Sequence, residues 1–339
     1  MIDPEVLETL LTDGYTILTP NLRLCRTIAK QWNQVQHSSG QAVWHSAAVS
    51  PLEPWLLQQW HSAVDKGLLP PLVPASAGQL QELWQEVIAE HQTATQGYTL
   101  IKPTGAAAQA SKARDTLIRW RVDINEPACK QLFLLDEDCS AFFAWQALLV
   151  DKLEALEMTS NSDALLGLLN CAGKLPRRKI ALAGFDDIPP LLRACIDALA
   201  EQVQTVPPQG KVGEIRVLEC PDKRTELAAA ARWAKAQYEK NVDAKVAIIL
   251  PDMHADRPSL EYLLRREFDC LGSNYTSLPV NFSAGIAMNE VPLVRDAIRA
   301  LSMCRQRIDL DDIVALFQSR FVSLPDRHSS AAIRFKAFI

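Results

Sequence analysis

A nucleotide-hydrolysing α/β protein needs Gly-x-x-x-x-Gly-Lys-Ser/Thr, because bare backbone amides must wrap the phosphates and a lysine must reach them. This sequence has no such match. Gly173-Lys174 is followed by Leu175 and Gly210-Lys211 by Val212, and neither pair follows a strand-like run. After the apolar residues that end at Leu18, where the loop would sit, there is only Thr19-Pro20-Asn21. A turn with no glycine and no lysine cannot cradle phosphates. ATP hydrolysis and a bound cofactor are therefore not expected of this chain.

The acids follow the same logic. Leu132-Phe133-Leu134-Leu135-Asp136-Glu137 imitates a strand whose Asp holds magnesium and whose Glu polarises water. Without a phosphate loop the expected role is plainer: an apolar segment, then acids that cap a helix from Ser140. Asp186-Asp187 stands after a strand-like stretch, Lys179 to Gly184, and fits a metal or a helix N-cap equally. Pro221-Asp222 and Pro251-Asp252 each supply the first half of a Pro-Asp…Asp/Glu-x-Lys nuclease site. The hairpin carrying the second acid and the lysine is missing, and Asp252 leads into a helix with Glu261 and Arg265, so both pairs read as strand-ending turns. Ser283-Ala284-Gly285 is half of a nucleophile elbow, with Phe282 where the first glycine belongs. The eight cysteines form no Cys-x-x-Cys pair, and with the six histidines they show no metal-ligand spacing. They read as reduced cytosolic thiols, and no metal site is expected.

Tryptophan is used heavily: Trp32, Trp44, Trp55, Trp60, Trp84, Trp120, Trp145 and Trp233. Aromatics beside Arg or Lys can form a stacking track for single strands, and Arg119-Trp120-Arg121 and Arg232-Trp233 have that composition. Most of these tryptophans fall on the apolar stripes of helices, where core packing is the default. Arg23/Arg26/Lys30, Arg177-Arg178-Lys179 and Arg265-Arg266 could hold phosphates or simply face solvent.

The elements that must position these groups alternate. Tyr15 to Leu18 reads as a strand, and Leu22, Cys25, Ile28, Ala29, Trp32 and Val35 recur at helical spacing behind a Thr19 or Asn21 cap. Lys179 to Gly184 followed by Ile188, Leu191, Leu192, Cys195 and Leu199 forms a second strand–helix unit. Between them lie helical patterns over Trp55–Val64, Gln79–His91, Ala106–Trp120, Ser140–Leu156 and Asp163–Leu169, with Leu69 to Pro74 as a rigid connector. Thr205 to Gly210 reads as a linker. After it come a strand over Glu214–Glu219, a helix from Asp222 to about Glu239, a strand over Lys245–Leu250 and a helix over Pro258–Phe268. That order predicts a parallel sheet. Pro292 to Phe317 reads as two helices, and the chain stops at Phe338-Ile339 without a closing element, as a fragment of a longer protein would.

The length, 339 residues, suits about two domains at roughly 150 residues each. Hydrophobic residues at 48% and charged residues at 22% exclude a disordered chain. No apolar run is long enough for a membrane helix, and the acidic start Met1 to Glu5 is not an export signal. A cytoplasmic location with no membrane partner is expected. With a net charge of −5, any nucleic-acid contact must be a local patch.

Together these segments resemble a known family. Thr19-Pro20-Asn21-Leu22-Arg23-Leu24, Val43-Trp44, Pro54-Trp55-Leu56 and Trp60 look like the opening of AddB-like bacterial "probable DNA repair" proteins. Ala183-Gly184-Phe185-Asp186-Asp187-Ile188-Pro189-Pro190 looks like that family's Gly-Phe-Asp…Pro element. The likeness continues through Glu226-Leu227, Ala231 to Ala234, Val246 to Asp252, Val280 to Gly285, Pro292 to Val294 and Ser319 to Phe321, spread over nearly the whole chain in the expected order. The resemblance implies α/β architecture of the RecA-like, P-loop-NTPase type, with parallel sheets, helical insertions and a degenerate phosphate loop. It implies a first RecA-like domain from residues 1–68 plus 176–210 with a helical insertion at 69–175. A second RecA-like domain would begin over 211–291, and its own insertion over 292–339. Such proteins continue into a nuclease domain and cluster-binding cysteines, neither of which lies in this sequence. The function it implies is a non-hydrolysing helicase-like scaffold that binds or guides single-stranded DNA for a nuclease. The alternative is an interaction module that docks on a helicase partner without DNA contact. The contacts implied for DNA are Thr19, Asn21 and Arg23 after the first strand, Trp44, and Gly184, Phe185 and Asp186 at the carboxyl edge of the sheet.

Overall fold

A computed structural model describes residues 2–95, 100, 103–207, 213–283, 285–304 and 309–322. The chain divides into two compact units, Met1–Gly213 and Glu214–Ile339.

In the first unit, α1 (Pro4–Thr12) precedes β1 (Thr16–Thr19), α2 (Leu22–Ser38), β2 (Val49–Pro51) and α3 (Leu52–Asp65). A short strand β3 (Val73–Pro74) opens a helical segment of α4 (Ala77–Thr95), α5 (Pro103–Arg119), α6 (Pro127–Phe133) and α7 (Glu137–Ala155). The chain then returns through β4 (Met158–Thr159) and α8 (Asn161–Cys171) to β5 (Arg178–Ala183), α9 (Pro190–Leu199) and β6 (Ala200–Val206). Four strands form one parallel sheet in the order β2-β1-β5-β6. The fold is therefore mixed α/β.

Strand periodicity explains why helices cover both faces. Along β5, Ile180 and Leu182 join Leu18, Trp55, Leu56, Leu168 and Leu192 in a core beneath α3, α8 and α9. Ala181 and Ala183 point the other way and join Leu7, Leu10, Ile17 and Ile28 beneath α1 and α2. Successive side chains alternate across a strand, so one run of apolar residues feeds two cores. Each fully buried leucine or isoleucine contributes about 1.5–3 kcal/mol. The helices α4, α5 and α7 have a core of their own around Trp84, Ile88, Phe142, Trp145 and Leu149. Its two ends are tied by β3 and β4, which pair in parallel (Val73 with Met158, Pro74 with Thr159). The Leu69–Pro74 stretch thus ends in a strand rather than serving only as a spacer.

The acids after Leu135 cap a helix, as expected: Asp136 accepts from the Cys139 amide at 3.0 Å at the start of α7, which begins at Glu137 rather than Ser140, while Leu132 and Phe133 finish α6. One expectation in this unit is corrected. Thr205 and Val206 lie in β6 and not in a linker; Pro208 to Gly210 fall outside the described residues.

The second unit holds α10 (Lys223–Lys240), α11 (Met253–Glu267), α12 (Pro292–Ser302) and α13 (Leu310–Gln318). Asp222 caps α10 and Asp252 caps α11, accepting from Thr225 and Ala255 amides at 2.7 and 3.0 Å. Both nuclease-like acids are thereby used as caps. The expected strands over Glu214–Glu219 and Lys245–Leu250 are not strands: among the described residues neither joins a ladder. Val246, Ile248 and Leu250 do turn inward onto α10 and α11, while Ile249 is 91% exposed. Alternation decides which residues face a core; a ladder also needs a neighbouring strand about 4.8 Å away. No helix among the described residues is long and apolar enough to cross a membrane.

Candidate functional site

The sheet order places β1 between β2, the next strand in sequence, and β5, which follows the helical segment. Chain progression reverses there, and open parallel sheets bind ligands in the crevice beyond the carboxyl ends of the strands at such a point. A cleft of about 590 Å³ lies there. Three connections wall it: Pro20-Asn21 between β1 and α2, the start of α3 at Leu52-Glu53-Pro54, and Phe185 to Pro189 between β5 and α9.

Each wall has a local cause. Asn21 is the N-cap of α2, its Oδ1 accepting from the Leu24 amide at 2.9 Å. Thr19 is fully buried, and its hydroxyl donates to the Asn21 carbonyl at 3.0 Å, which fixes the turn. Gly184 has φ +76°, a left-handed conformation that costs an L-residue energy. A Cβ built there would stand 2.5 Å from Leu24 Cδ2, so glycine serves both backbone and space. The turn it makes delivers half-buried Phe185 to the cleft. Neither α3 nor α9 has a side-chain cap, since Pro51 and Pro189 hold their N-cap positions. Pro54 and Pro190 have no N–H, so in the first turns of these helices the Leu52, Glu53, Leu191 and Leu192 amides are the ones left without an intrahelical acceptor.

The charge is mainly acidic. Asp187 lines the cleft and accepts from the Ile188 amide at 2.8 Å, and exposed Asp186 stands beside it. Because α9 begins at Pro190, neither acid is its N-cap, contrary to one of the two expected roles. Glu53 belongs to the opposite wall. Arg119, at the end of α5, reaches it with two hydrogen bonds of 2.6 and 3.0 Å and also pairs with Asp115 at 2.7 Å. These bonds, that to Glu53 foremost, raise the guanidinium pKa above its ordinary value. Asp115 in turn accepts from Ser162 on α8. A second pair, buried Arg114 with Asp163 at 2.7 and 2.9 Å, fastens α5 to α8. The helical segment is thus ionically bolted to the cleft wall, and sequence reading named neither Glu53 nor Arg114. The spacing around Arg119 at the end of α5 gave no signal of its partner 66 residues away.

Of the expected contact residues, Asn21 and Phe185 line the cleft, with Gly184 and Asp186 in the same loop. Thr19 lies beneath it. Arg23 is on the exposed first turn of α2. Trp44 stands apart in the α2–β2 connection, its Nε1 donating to Asn33 at 2.9 Å. Trp55, Trp60, Trp84 and Trp145 are core residues, whereas Trp120 and Trp233 are about half exposed. Ala284 of the half elbow lies outside the described residues. Among those described, no three His, Cys, Asp or Glu side chains converge on a point. No protein-family model matches the chain, and no curated protein matches it in sequence.

Proposed function

We propose that this chain is a helicase-like, non-hydrolysing scaffold of a DNA repair or recombination protein, with a RecA-like first unit that holds single-stranded DNA for a nuclease. The observation that carries this reading is the cleft at the carboxyl edge of the sheet, at the point where strand order reverses, with Phe185 on its wall. The two-residue Pro20-Asn21 connection between β1 and α2 supports a site that does not grip a triphosphate. Asp186 and Asp187 repel a phosphate run through the cleft itself, where Glu53 is paired with Arg119. A single strand would stack a base on Phe185, take hydrogen bonds from the early amides of α3 and α9, and run its backbone outside, past Arg23. The same acids favour the second reading, an interaction module that docks on a helicase partner.

The test is a fluorescence-anisotropy titration of single-stranded against duplex oligonucleotide at two salt concentrations. Salt-sensitive binding that prefers single strands, reduced about tenfold by Phe185→Ala as one lost stack of about 1–3 kcal/mol requires, supports the DNA reading. No binding at either salt overturns it and leaves the docking module.

A further inference from the structure

The basic-aromatic motif Arg119-Trp120-Arg121 ends α5 at the edge of the cleft. Arg119 lines the cleft and is spent on Glu53 and Asp115. Trp120 follows it directly and is 52% exposed. The other tryptophans of the first unit behave differently. Trp55, Trp60, Trp84 and Trp145 are buried, and Trp32 and Trp44 hold their indole N–H groups on the His45 carbonyl and on Asn33, at 3.0 and 2.9 Å. Among the described residues the Trp120 indole has neither a hydrogen bond nor a ring partner. An open aromatic face beside a cleft is a platform for a base, because every base has a π-face.

Arg121 takes the left-handed position after α5, at φ +57°. Its amide and that of Val122 return to the Ile118 and Leu117 carbonyls, at 3.0 and 2.9 Å. Glycine is the least costly residue at such a position, so the turn does not require the arginine side chain. Arg121 is exposed and makes no ion pair among the described residues. Asp123, two residues on, accepts instead from the Asn125 amide at 2.9 Å. The charge of Arg121 is felt at Cys195 on α9, where it opposes the rise that burial imposes on the thiol. Arg121 therefore lies near the helix that follows Phe185.

We infer that Trp120 and Arg121 form a second nucleotide position of the same site: a base stacks on the Trp120 ring, and Arg121 holds the adjoining phosphate. The inference rests on the DNA reading and extends it. A strand then passes from Arg23, beside the α2 wall, over Phe185 to Trp120. Its phosphates meet an arginine at each end, while Asp186 and Asp187 keep them out of the cleft. Stacking and phosphate contacts do not read base identity. The ligand is thus single-stranded DNA of any sequence, long enough to reach both aromatic residues.

The experiment is a fluorescence-anisotropy titration of the full chain with single-stranded DNA oligonucleotides of increasing length. Wild-type affinity is expected to rise when the strand becomes long enough to reach Trp120. Trp120→Ala removes that rise, about tenfold, and binds the shortest strands as wild type does, whereas Trp120→Phe keeps it. Arg121→Gly lowers the slope of log affinity against log salt by about 0.7, the share of one phosphate on a single strand. Its Tm stays at or above that of wild type, because glycine relieves the left-handed backbone. A purely structural role would move stability and binding together, so a parallel fall in Tm and affinity in both variants overturns the inference. If Phe185→Ala weakens binding and these variants bind every length as wild type does, the second position falls and the DNA reading stands. No binding of any strand overturns both.

Discussion

Replacing Gly184 by alanine tests whether the β5–α9 turn is held by backbone geometry and by its contact with α2. Two costs are expected. The left-handed conformation at φ +76° penalises an L-residue by about 1–2 kcal/mol. The new methyl would also lie 2.5 Å from Leu24 Cδ2, too close to coexist. That atom is the end of a flexible side chain, so Leu24 can rotate away at about 1 kcal/mol. The sum is about 2–3 kcal/mol. For a unit of this size each kcal/mol lowers Tm by about 2–4 °C, giving a drop of roughly 4–12 °C. Urea denaturation followed by tryptophan fluorescence reads the free energy, because Trp55 and Trp60 lie in the core under the same sheet. A cycle with Leu24→Ala separates the two costs. In the Leu24→Ala background the steric part vanishes, so the double variant is more stable than the sum of the single losses by about 1 kcal/mol. A Gly184→Ala variant within 0.5 kcal/mol of wild type would refute the reasoning, and strict additivity in the cycle would refute its steric half.

Three further outcomes follow from particular contacts. Arg114→Ala leaves Asp163 partly buried without its partner and should cost about 3–5 kcal/mol in a denaturant titration, whereas Arg114→Met with Asp163→Leu should recover most of that loss. Burial pushes the Cys195 thiol up to about 12, so a thiol reagent at pH 8 should label exposed Cys304 quickly and Cys195 only on unfolding. The Thr225 amide holds the Asp222 carboxyl below its ordinary value of 3.8. That cap is at full strength above the ordinary value and is lost as pH falls through the lower folded one. Asp222→Asn, which still caps, should flatten the acid limb of the second unit's stability profile below about pH 4.

The sequence by itself determined the elements whose cause is local. Helical spacing and an Asn21 cap produced α2, the Asp222 cap produced α10, and the apolar run before Gly184 produced β5, whereas α11 starts at Met253 behind an Asp252 cap and carries inside it the Pro258 from which the pattern began the helix. The absent phosphate loop was legible too, because a loop of that kind is a contiguous motif. Tertiary structure decided the rest. The strands β2 and β6 exist because β1 and β5 offer edges to pair with, which neither Val49 to Pro51 nor Ala200 to Val206 announces in isolation. Glu214–Glu219 and Lys245–Leu250 show the converse: strand-like alternation with no ladder among the described residues. The cleft brings together residues 20–22, 51–54 and 185–189, the last of them more than a hundred residues along the chain from the others. Its Glu53–Arg119–Asp115 bridge joins helices through long-range contact rather than spacing. Periodicity fixes which side of an element is apolar; only packing fixes what that side meets.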